Sequence, residues 1–264
     1  MINTRLYGYA LMGLLSAVSV NCEENKKTAS APPAASPVAA AQPAPSASAE
    51  PTKEAVKPAP KPKKSAADCP KVQTVTFPSA EVEDAVRLKL SKKSGGITRA
   101  ELAKVRSLNI SQSKLDELDI CLFPHMKELR ELFIGPGHVE DLSPLASLTK
   151  LESLRLSLNP IRDLAPLSGM TKLDRLDLAH TEVRDLTPLK GLSNLTELLL
   201  DDTPVDDVAP LATLEKLSVL VLKNTRVKDV RPLRALKVLK TLDLRGAPID
   251  DSTAIARPGL RIDE

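Results

Sequence analysis

Aromatic side chains are nearly missing from this 264-residue chain, which has no Trp, two Tyr and three Phe. Proteins that grip single-stranded nucleic acid stack bases on aromatic platforms along a basic groove, and a chain this poor in rings offers none, so no nucleic-acid partner is expected. Histidine is scarce too. His125, His138 and His180 are scattered, no two at the spacing of ligands on one helix, and neither HExxH nor CxxC occurs. The G-x-S-x-G elbow, the Walker A loop and the G-x-G-x-x-G fingerprint are also absent. These gaps argue against an enzyme, and neither a metal nor another cofactor is expected. Only three cysteines occur, at 22, 69 and 121.

Proline, by contrast, is abundant at 22 residues, and the net charge of +3 is unevenly placed. Lys26, Lys27, Lys53, Lys57, Lys61, Lys63 and Lys64 lie in the Ala/Pro-rich stretch up to about residue 67, whereas acids and bases mix evenly after it. Such a stretch cannot bury enough apolar surface to offset its conformational entropy, and it reads as a linker over 22–67. Ahead of it, Arg5 precedes an apolar run from Leu6 to Val20, too short for a comfortable membrane span and suited to an export signal over 1–21. The end of that run, SAVSVNC, resembles the lipobox of bacterial lipoproteins, with Val20 on pattern and Ser19 and Asn21 off it. The resemblance implies a lipid on Cys22 as the new N-terminus. Plain secretion and an uncleaved anchor remain open.

Beyond residue 67 the chain becomes periodic. LRELFIGPGHVEDLSPLASLTK from Leu129 and LESLRLSLNPIRDLAPLSGMTK from Leu151 stack with their leucines in columns, and the period of 22 continues from Leu173, Leu195, Leu217 and Leu239. A degenerate copy begins at Val105, with two extra residues near LFPHM. Alternation in LxxLxL predicts a short strand, and the DLxPL that follows predicts a Pro-started helical turn on the opposite side. One repeat alone buries too little to fold; stacked repeats share a core. This pattern resembles leucine-rich repeats of the 22-residue, internalin-type subclass over 105–262. The resemblance implies an α/β solenoid, a horseshoe whose parallel sheet is concave, with short helical or 3₁₀ convex turns. It also implies a ladder residue, usually Asn, bonding neighbouring coils. Asn159 fits, Ser113, Thr181, Thr203 and Thr225 offer hydroxyls, and Gly137 and Ala247 offer nothing.

Residues 68–104 read as two short helices, one capped by Ser79 and one opened by a Thr98/Glu101 capping box, with Gly95 and Gly96 as the break. They are similar to the helical N-terminal cap of internalin-type repeats. In an oxidising compartment Cys69 and Cys121 could clamp this cap to the first coil. The alternative is that Cys121, aligned with Leu145, Leu167 and Leu189, is a small buried hydrophobe. If the pair forms, Cys22 is left over, which suits a lipid anchor. The GLRIDE end predicts one more short strand, with Arg261, Asp263 and Glu264 blunting the edge.

The outward strand positions form two rows across the coils. One reads Asn109, Phe133, Arg155, Asp177, Leu199, Val221, Asp243, and the other Ser107, Glu131, Ser153, Arg175, Glu197, Val219, Thr241. Leu199, Val219 and Val221 form an apolar cluster flanked by Arg175, Asp177 and Glu197, with Phe133 and Arg155 nearer one end. Contiguous aliphatics rimmed by charge predict a protein-binding site on the concave face; β-propensity filling those positions is the plainer alternative. The acidic pairs Asp201–Asp202 and Asp206–Asp207 raise a cation site, but Asp207 aligns with Asp163 and Asp185 at the start of the convex turn, which points to capping. The expected function is a non-catalytic, monomeric binding module of the bacterial envelope, lipid-anchored to the outer membrane. A scaffold or spacer without a distinct ligand is the alternative.

Overall fold

The protein is described by a computed structural model over residues 66–70 and 72–264. The export segment, Cys22 and the linker up to residue 65 lie outside the described residues. Among the described residues no helix is long and apolar enough to cross a membrane.

Near the start of the described part, β1 (Thr74–Val75) leads into α1 (Ala80–Leu90) and β2 (Ile97–Thr98) into α2 (Arg99–Leu102), with β1 and β2 paired antiparallel. Ser79 Oγ accepts the Val82 N–H at 3.3 Å and starts α1. The Thr98/Glu101 box is reciprocal: Thr98 Oγ1 accepts the Glu101 N–H at 3.2 Å, and Glu101 Oε2 accepts the Thr98 N–H at 2.8 Å. Helix α1 stops before the expected glycine break. Ser91 takes a left-handed φ of 53°, and the Lys92 N–H closes back on the Arg87 carbonyl at 3.0 Å. Val82, Val86 and Leu102 are buried in the same core as the repeats.

Eight parallel strands follow in chain order: β3 (Ser107–Ile110), β4 (Glu131–Ile134), β5 (Ser153–Arg155), β6 (Arg175–Asp177), β7 (Glu197–Leu199), β8 (Val219–Val221), β9 (Thr241–Asp243) and β10 (Arg261–Asp263). Alternation puts the central residue of each strand inside, so Leu132, Leu154, Leu176, Leu198, Leu220 and Leu242 stand in register and fully buried. The chain crosses the opposite side in 3₁₀ turns at Ser143–Leu145, Ala165–Leu167, Thr187–Gly191, Ala209–Thr213, Arg231–Ala235 and Thr253–Ile255. Each begins with an aspartate that accepts the N–H two residues on. Asp141, Asp163, Asp185, Asp207, Asp229 and Asp251 all do so at 2.8–2.9 Å. Asp207 is therefore a turn cap. The result is an α/β solenoid.

The first coil is longer, as the insertion near LFPHM requires. Leu108 pairs with Leu132 across 24 residues, where the partners from β4 to β9 are 22 apart. Leu122, Phe123 and Met126 fill its interior, and Cys121 is only half-buried, with its N–H on Asp119 Oδ1 at 2.6 Å. Cys121 thus occupies the capped-turn position of that coil and not a buried leucine column. It is bonded to Cys69, with the Cα atoms 5.3 Å apart.

The inter-coil ladder differs from the expectation. Asn159 alone among the ladder side chains bridges coils, donating to the Gly135 carbonyl at 3.1 Å and accepting the Val139 N–H at 3.1 Å. Thr181, Thr203 and Thr225 turn their hydroxyls to a carbonyl three residues back in their own coil, at 2.6–2.7 Å. Gly137 is no missing rung: a Cβ there would sit 2.4 Å from the Leu115 carbonyl oxygen, so the coils close up only because glycine stands there.

Candidate functional site

The strand register brings the two outward rows together as the 22-residue spacing requires. Leu199 lies beside Val221, Glu197 beside Val219, Arg155 beside Asp177 and Arg175 beside Glu197. Leu199, Val219 and Val221 are half-buried on the solvent side of the sheet, a three-residue aliphatic surface. The neighbouring charges are largely engaged with one another. Arg155 Nε lies 2.9 Å from Asp177 Oδ2, and its guanidinium covers the Phe133 ring at 5.7 Å from the centroid. Arg175 stands 3.7 Å from both Asp174 and Glu197. Phe133 is three strands away from Leu199, roughly 14 Å at the usual strand spacing, with Arg155 and Asp177 between them. The predicted site therefore resolves into two parts: an aromatic ring under a cation at one end, and an aliphatic patch near the other.

Among solved structures, internalin C2 of Listeria monocytogenes is 31% identical with a TM-score of 0.65, over 70% of this chain and 83% of that one. The chain belongs to the leucine-rich repeat family. Internalin F of the same organism is 29% identical with a TM-score of 0.63, over 67% of this chain, which spans about half (53%) of that protein's length. A leucine-rich repeat protein of Leptospira interrogans shares the fold at 22% identity and a TM-score of 0.57, over 62% of this chain and 44% of that one. No model of a protein family matches the sequence, and no curated protein does.

In this leucine-rich repeat domain the far end of the sheet holds a residue that the row pattern misplaces. Asp243 continues the row of Leu199 and Val221, yet it is only 7% exposed. Arg245, two residues along the same strand direction, holds both its oxygens at 2.9 and 2.5 Å. That guanidinium keeps the Asp243 carboxyl below the usual carboxylate range, with burial opposing it. An Asp-x-Arg spacing, with the aspartate ending strand β9 and the arginine in the turn after it, is the signal that foretells this clamp. The aliphatic patch is accordingly bounded by Glu197 and Asp177 on one side and by the Asp243–Arg245 pair on the other. Chemically, the arrangement offers apolar contact within a frame of fixed, mutually neutralised charges. The named residues of the patch include no nucleophile beside a base.

Proposed function

We propose that this chain is a non-catalytic binding module of the bacterial cell envelope, capturing a protein partner on the concave face of a 22-residue, internalin-type repeat domain. The observation that carries this reading is the aliphatic surface of Leu199, Val219 and Val221, set among charges that already satisfy each other. Such a surface gains from covering its apolar centre without stripping water from unpaired ions. The likeness to internalins C2 and F supports a binding role over catalysis. In this reading residues 1–21 export the chain, Cys22 carries a lipid in the outer membrane, and 22–67 is a tether. Residues 68–104 cap the repeats of 105–262, and the chain acts as a monomer. At the Phe133 end, the Arg155–Asp177 and Arg175–Glu197 pairs join neighbouring coils, which favours a scaffold role for that end.

A photo-crosslinking residue placed at Leu199 or Val221 in intact cells tests the face. Both positions should yield the same protein adduct, and the exposed convex Ser168 should not. No adduct from either sheet position, or the same adduct from all three, refutes the concave site. Cys22→Ser should move the protein out of the membrane fraction; a variant that still sediments with membranes removes the lipid anchor.

A further inference from the structure

Residues 158, 180, 202, 224 and 246 occupy one position of successive coils, and all five are left-handed: Leu158 at φ 60°, His180 at 54°, Asp202 at 55°, Asn224 at 55° and Gly246 at 73°. Side chains in that column stand one coil apart, so residues 22 apart in sequence become neighbours in space. At only one step does the column place an imidazole beside a carboxylate. His180 Nε2 lies 3.6 Å from Asp202 Oδ2 and 3.8 Å from Asp201 Oδ2, and one ligand atom from each of the three falls within 4.8 Å of the others.

We propose that His180, Asp201 and Asp202 form a binding site for a divalent transition-metal ion of the zinc class, at the rim of the sheet beside the strand β7. Two ligand atoms on one tetrahedral zinc, with bonds of about 2.0–2.2 Å, lie roughly 3.4 Å apart, and the two separations from the imidazole are within a few tenths of an ångström of that. An imidazole nitrogen selects zinc-like ions over calcium or magnesium, which take oxygen ligands in larger number. The two carboxylates balance a dication, and water completes the fourth position. Asn224 Nδ2 donates to the other oxygen of Asp202 at 2.9 Å and fixes that carboxylate's orientation, the part an outer partner plays around a metal. This site is independent of partner capture.

Zinc titrated calorimetrically into the full chain, freed of any affinity tag and stripped with chelator, should bind at one equivalent per chain. His180→Asn and Asp202→Asn should each weaken that binding at least tenfold, and Asn224→Ala by a smaller but measurable factor. Asparagine tolerates the left-handed backbone at 180 as it does at 224, so the His180 variant keeps its melting temperature, and a calcium titration should give no heat at these residues. On the wild-type protein the His180 ring resonances should shift or broaden with zinc, a readout that needs no variant. Zinc bound equally well by both variants, no zinc bound by the wild type, or His180 resonances unmoved by the metal would overturn the assignment.

Discussion

Replacing Asn159 with alanine should destabilise the repeat domain far more than removing any ladder threonine. Asn159 is 2% exposed, and its amide satisfies groups in two coils: the Val139 N–H and the Gly135 carbonyl in one, and the Leu156 and Ser157 carbonyls in its own. Truncation strands at least the first two, both buried. At about 1–3 kcal/mol for each buried polar group left without a partner, Asn159→Ala should cost about 2–6 kcal/mol. Asn159→Thr should recover about 1 kcal/mol of that, because a threonine there bonds the carbonyl three residues back, as Thr181 does at 2.7 Å, while the inter-coil groups stay unmet. Thr181→Ala removes a bond confined to one coil and should cost about 1 kcal/mol. Urea titrations with unchanged m-values rank the three variants, and amide exchange at Val139 reports the bond between coils. The reasoning fails if Asn159→Ala is no worse than Thr181→Ala, or if the Val139 amide stays equally protected in both.

Leu198→Ala, in the buried column, should cost about 2–5 kcal/mol in a urea titration, whereas Leu199→Glu, one residue on and facing solvent, should leave the melting temperature nearly unchanged while abolishing crosslinks through Val221. Breaking the Cys69–Cys121 bond, which spans 52 residues, should lower stability by about 4 kcal/mol in the chain-entropy model, read as the difference between oxidised wild type and Cys69→Ser/Cys121→Ser. Glu101 is held down to about 2 by its hydrogen bonds to Lys92 and to Thr98, below an unfolded value near 4.3. Its contribution is therefore complete above the unfolded value and is lost as pH falls from there toward 2. Glu101→Gln should flatten the stability profile across that acid window, and an unchanged acid slope would count against the capping box.

Much of the fold could be read from the 22-residue period, because a strand with one buried face has a single workable register. The pairing of Leu199 with Val221 and of Glu197 with Val219 follows directly. Interactions between coils were harder to read, since they depend on where side chains of adjacent coils meet. Arg155 on Asp177 is a rotamer choice that leaves no trace in leucine spacing. Leu158 carries a left-handed backbone without the glycine or asparagine that would announce one. Cys121 leaves the leucine column because, in the longer first coil, its N–H is taken up by Asp119 in the capped turn. The neighbours of His180 stayed hidden for another reason. Helical ligand spacing does not apply to them, because in a solenoid the relevant interval is a whole coil.

The Cys69–Cys121 bond also determines how the molecule would carry a load. With its Cα atoms 5.3 Å apart, the bond passes tension straight from one residue to the other, so a pull between the two ends bypasses everything they enclose. Helices α1 and α2, the β1–β2 pair and strand β3 all lie within that loop. Strands from β4 to β10 lie beyond it and would bear the force, parting one three- or four-residue ladder at a time from the β10 side. Each coil released would lengthen the chain by about 70–80 Å, and the part inside the loop would contribute nothing until the sulfurs were reduced. Under tension the domain would behave as an extensible array attached to an inextensible end.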